Sequence, residues 1–92
     1  MKAMRELSFE YEVCRVLAEV YELLLAKRHD YGKANIEKHG ESGILVRLDD
    51  KLARLAHLQG AAETPASESI DDTWLDIAGY AVLALLLRRG KF

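Results

Sequence analysis

The stretch Glu68–Leu87, ESIDDTWLDIAGYAVLALLL, limits the fold more than any other. Leu75, Ile77, Ala78, Val82, Leu83, Leu85, Leu86 and Leu87 fall on every side of a helix, and a helix apolar all round is buried all round. Its unbroken apolar run, Ile77–Leu87, counts 11 residues including Gly79, well short of the roughly 20 that span a bilayer. This helix must therefore be covered by protein. A chain of 92 residues suggests a single domain over 1–92. Two further helices are too little to wrap it, so the bundle is expected to be completed by a homodimer or higher homo-oligomer.

Two carboxylates sit at the mouth of this stretch, Asp72 and Asp76, one helical turn apart. An acidic residue in a first turn is favoured by the helix dipole, which accounts for Asp72. Asp76 lies deeper, where a carboxylate is costly unless paired. Its partner is either an arginine of helix two or Lys33, or a metal ion.

The other elements are read from periodicity. Phe9, Val13, Val16, Leu17, Val20 and Leu24 recur at steps of three and four and predict a helix over 5–27. Cys14 beside that stripe reads as a small buried hydrophobe. Residues 28–43, with Gly32, Gly40 and Gly43, read as a loop, locally basic through Arg28, His29, Lys33, Lys38 and His39. A second helix is predicted over 44–59, with Leu45, Leu48, Leu52, Leu55 and Ala56 on one face. Arg47, Asp50, Lys51, Arg54 and His57 share the other. Gly60 and Pro65 close it. The third helix is predicted over 69–89, with Ser69 and Asp72 in the spacing of a capping box. The fold class is all-α, three helices.

Composition excludes several functions. The net charge of −2 gives no basic stripe for duplex nucleic acid. One cysteine fits a reducing compartment, and MKAMRELSFEYE has no apolar signal core, so a cytoplasmic protein without membrane contact is expected. There is no glycine-rich phosphate loop, CxxC pair or HExxH. The chemistry left is the set of carboxylates and cations on helices two and three. It reads either as an ion-pair ladder, with Arg47 and Arg54 flanking Asp50, or as a site for a hard divalent cation and phosphate oxygens.

Three blocks in series sharpen the choice: KRHDYGKAN at 27–35, GILVRLDDKLARLAHL at 43–58 and ESIDDTWLDIAGYAVLAL at 68–85. Over roughly residues 25–88 they resemble the nucleotide-modification-associated domain family, small all-helical proteins of phage and bacteria. That family is similar to the MazG-like all-α nucleoside triphosphate pyrophosphohydrolases and the helical dUTPases, which release pyrophosphate using Mg²⁺ held by acidic residues. The resemblance implies that Asp50, Asp72 and Asp76 are the catalytic, metal-holding carboxylates. Arg47, Lys51, Arg54 and Lys33 would hold phosphates. Asp30, Tyr31, Gly32 and Asn35 would meet base or sugar. Those enzymes carry ExxE and ExxD motifs, whereas helix two here offers Asp49, Asp50 and Lys51, and Thr73 stands where the ExxD glutamate would be. Glu19 and Glu22 make an ExxE on the solvent side of helix one, far in sequence from Asp72. Two functions are thus expected: a Mg²⁺-dependent pyrophosphohydrolase-like protein acting on an NTP, dNTP or modified nucleotide, or a non-catalytic nucleotide- or partner-binding module.

Overall fold

The computed structural model describes residues 4–31, 33–60 and 66–92; the side chains of 4–7, 30, 31, 33, 35 and 66–69 lie outside that description. The described residues form α1 (Met4–Tyr31), α2 (Lys33–Gln59) and α3 (Ala66–Arg88), with no strand among them. All-α and three helices are what the periodicities demand.

The segment 28–43 departs from its reading as a loop. α1 continues to Tyr31, and α2 already begins at Lys33. The seven residues Lys33–His39 contain no helix breaker, so they continue helical until Gly40. There the backbone takes φ 60° and ψ −153°, a conformation open essentially to glycine alone, and α2 kinks rather than ends. Gly43 completes the bend: a Cβ placed on it would stand 2.5 Å from the Cβ of His39. The glycines are real punctuation, but they bend a helix instead of dissolving it. At the other end, α3 begins at Ala66, earlier than expected, and the proposed Ser69 cap lies outside the described side chains.

α3 closes with a Schellman turn. Gly90 takes φ 64°, Lys91 N–H donates to Leu86 C=O (2.9 Å), and Gly90 N–H donates to Leu87 C=O (3.2 Å). Phe92 then folds back onto the core.

The core is small and sits where the kinked α2 meets α3. Ile36, Ile44, Tyr80 and Leu83 are its buried members, with Leu24, Leu48, Ala84 and Leu87 packed against them. The pairing of residues gives the helix directions. Lys51 meets Asp76, Arg47 meets Tyr80, and Glu41 meets Arg88, so α2 runs antiparallel to α3. Val16 and Glu19 lie near Asp72, Leu24 lies over Gly79, and Lys27 meets Asp76 and Tyr80, so α1 runs roughly parallel to α3.

The N-terminal half of α1 does not join the core, contrary to the stripe's expected role. Val20 is buried, but Phe9, Val13, Val16 and Leu17 are 40–69% exposed. Cys14, on the same half-helix, is exposed rather than buried. On α2 the core is likewise built from Ile36 and Ile44, with Leu55 buried, while Leu45 and Leu52 of the expected stripe face out. Leu45 and Leu52 each lie one position past the inward series Ile44, Leu48, Lys51 and Leu55, which sets the covered face of α2 after the kink. The radius of gyration, 15.7 Å, exceeds the roughly 12 Å of a compact domain of this length. No helix among the described residues is long and apolar enough to cross a membrane.

Candidate functional site

The question raised by Asp76 has an internal answer. Lys27 Nζ of α1 lies 3.3 Å from its Oδ1, and Lys51 Nζ of α2 lies 2.9 Å from its Oδ2. The carboxylate is 18% exposed, and the two lysines are 13% and 28% exposed. Each oxygen therefore has its own ammonium in a site partly withdrawn from water, where charge pairing is stronger than at an open surface. One aspartate ties all three helices together. One turn on, the buried Tyr80 receives Lys27 Nζ at 5.3 Å and the Arg47 guanidinium at 6.0 Å from its ring centroid, within cation–π reach.

Two clefts open on either side of this knot. The first lies between α2 and α3 and is lined by Arg47, Asp50, Lys51, Arg54 and Tyr80. Residues 47, 51 and 54 follow at steps of four and three, so they project from one face of α2. Three cations against one carboxylate leave this cleft positive on a chain whose net charge is −2. The second lies between α1 and α3 and is lined by Glu19, Glu22, Leu23, Asp72, Leu75 and Asp76. It is acidic, and it continues toward Val16, Asp71 and Trp74.

The expected site residues distribute over both clefts. Arg47, Lys51 and Arg54 do share a surface, with Asp50 among them and Tyr80 beneath. Asp72 faces the other cleft, exposed, and Asp76 stands between the two. Asp50 and Asp72 therefore line different clefts, and among the described residues no three His, Cys, Asp or Glu side chains gather as a metal-ligand set. With both Asp76 oxygens engaged by lysines, the trio Asp50, Asp72 and Asp76 does not fit a resident Mg²⁺ in this arrangement. Gly32 lies outside the described residues, as do the side chains of Asp30, Tyr31, Lys33 and Asn35.

Two features escaped the sequence. Glu19 and Glu22 are exposed, as their face of α1 requires, but the parallel packing of α1 on α3 brings them to the groove that holds Asp72. Lys27 carries a signal that could have been read: it continues the inward series Val20, Leu24 at the next helical step, so a cation there must meet something buried.

No curated protein and no solved structure matches the chain. Residues 27–87, two thirds of the chain, match the family described as Nucleotide modification associated domain 1. That span contains the kinked α2, all of α3 but its last residue, Arg88, and Lys27, Lys51 and Asp76 of the three-helix knot. The chain belongs to the Nucleotide modification associated domain 1 family.

Proposed function

We propose that this protein binds a nucleoside phosphate in the cleft between α2 and α3. Arg47, Lys51 and Arg54 meet the phosphate oxygens, and the resemblance adds Lys33 to the phosphate-holding cations. The resemblance assigns Asp30, Tyr31, Gly32 and Asn35 to the base or sugar. The observation that carries the reading is the convergence of three cations from successive turns of α2 beside a buried tyrosine, on an otherwise acidic chain. Charge-assisted contacts to phosphate are the strong class of hydrogen bond, and the planar guanidinium fits them well. Titration of the purified protein with each NTP and dNTP tests it. Saturable binding is expected, weakened at least tenfold in the Arg47→Ala/Arg54→Ala double variant and weakened by added salt. Absence of binding by all eight nucleotides contradicts it.

The second reading adds catalysis: release of pyrophosphate in the manner of the MazG-like enzymes, with Mg²⁺ arriving on the nucleotide rather than held by Asp50, Asp72 and Asp76 as a resident ion. Its specific support is the acidic groove, where Glu19 and Glu22 supply an ExxE pair opposite Asp72. Pyrophosphate appearing with Mg²⁺ and one nucleotide, and lost in Asp72→Asn, is the outcome this reading requires. Saturable binding with no product leaves the protein a binding module.

A further inference from the structure

The kink in α2 leaves an apolar pocket beside the cationic cleft. Its volume is about 250 Å³, and Ile36, Ile44, Val46, Arg47, Tyr80 and Leu83 line it, with His39 and Gly40 at the bend. Arg47 and Tyr80 line the pocket and the cleft alike, so the two are continuous. We propose that this pocket holds the nucleobase of the bound nucleotide, a proposal that rests on the nucleoside phosphate reading above. Sites for drug-sized ligands occupy about 300–1,000 Å³, so this smaller pocket suits a single planar ring system. Its walls are aliphatic and aromatic, and its polar groups are those of His39, Arg47 and Tyr80. Packing, rather than a full set of edge hydrogen bonds, selects the base. The phosphates then extend past Arg47 toward Lys51 and Arg54.

The test compares nucleotides with a ligand that has phosphates and no base. In the wild-type protein, at least one dNTP binds tenfold or more tightly than inorganic tripolyphosphate. Val46 is 64% exposed at the pocket wall, so Val46→Trp fills the mouth without disturbing the core; it removes that tenfold excess and leaves tripolyphosphate affinity unchanged. Equal binding of dNTPs and tripolyphosphate overturns the base pocket while the phosphate cleft stands. No binding of either overturns both. The wild-type comparison decides the matter even where the variant fails to fold.

The exposed half of α1 carries a second, independent inference. The chain exposes 7203 Å², whereas a compact monomer of 10.4 kDa exposes about 5,400 Å². The difference is about 1,800 Å² per chain, so a symmetric pair burying it loses about 3,600 Å², within the range of obligate homodimers. Phe9, Val13 and Val16, with Leu17 beside them, form an exposed apolar strip at steps of four and three, the a/d spacing of a coiled coil. We infer that a second copy of this chain covers the N-terminal half of α1, with the exposed Trp74 at the edge of the patch.

Light scattering of the full chain at micromolar concentration should give a dimer. Phe9→Glu/Leu17→Glu should give a helical monomer, since these two side chains are 69% and 61% exposed within one chain. Cys14, the sole cysteine, lies beside the strip and is exposed. Spin labels there should couple across the pair, with Cα atoms no more than about 15 Å apart across the two helix axes, from a helix–helix distance near 10 Å and a Cα radius near 2.3 Å. A monomeric wild-type chain assigns the face to some other partner and overturns the inference. A dimer whose Cys14 labels show no coupling at that range also overturns it.

Discussion

The two sides of α3 carry opposite charge. Toward α2, Arg47, Lys51 and Arg54 outnumber Asp50; toward α1, Glu19, Glu22 and Asp72 face one another. Asp76 stands between, held by one lysine from each neighbour. Asp72 and Asp76 look equivalent in sequence, both acidic and one turn apart. Their surroundings separate them: one is an exposed group of an acidic groove, the other is the charge that fixes three helices together. A carboxylate's role is set by what the neighbouring helices bring to it, and a single helical wheel does not contain that information.

The largest effect is expected from removing the shared charge. Asp76→Ala leaves two half-buried ammoniums without their counterion. Loss of one partner of a fully buried pair costs about 3–5 kcal/mol; with this site partly exposed, about 2–3 kcal/mol is expected, read by urea unfolding. An unchanged midpoint would mean that the knot contributes nothing to the fold. Asp72→Ala, on the exposed side, should stay within about 0.5 kcal/mol of wild type.

The bend comes next. Gly40→Ala meets no atom within 4 Å of the new Cβ, so its effect is purely that of the backbone at φ 60°. A cost of about 1–2 kcal/mol is expected, together with weaker nucleotide binding as the α2 side of the site shifts. The α1–α3 groove should keep its shape. A stabilised Gly40→Ala protein would contradict the kink.

Substitution in the cleft acts on binding rather than on stability. Arg54→Ala should weaken nucleotide binding about tenfold, near 1.4 kcal/mol, with the unfolding midpoint essentially that of wild type. The smallest effect is expected across α3: Glu19→Gln/Glu22→Gln should change metal-free nucleotide affinity less than twofold. A tenfold change there would move the ligand to the acidic side.

Much of this was legible in the sequence. The apolar surround of residues 75–87 announced α3, and the spacing of Arg47, Lys51 and Arg54 announced one cationic face. The depth of Asp76 demanded a partner; helix two supplies one through Lys51 rather than through an arginine, and Lys27 of α1 supplies the other. The 28–43 segment was not legible, because glycine content does not distinguish a loop from a helix bent at one glycine; only the φ of Gly40 does. The exposed half of α1 was hidden for a related reason. Phe9, Val13 and Val16 form an apolar stripe whether the surface that covers them belongs to this chain or to another. Glu19 and Glu22 are 50 or more residues from Asp72, and only the parallel packing of α1 on α3 brings them to one groove.

The most direct measurement is calorimetric titration of the eight NTPs and dNTPs into three proteins: wild type, Arg47→Ala/Arg54→Ala and Glu19→Gln/Glu22→Gln. Binding to the wild type, weakened at least tenfold by the arginine pair and kept within twofold by the glutamate pair, is the predicted result. Binding that survives loss of the arginines but fails without the glutamates would place the ligand on the opposite side of α3 and contradict the assignment of the cleft.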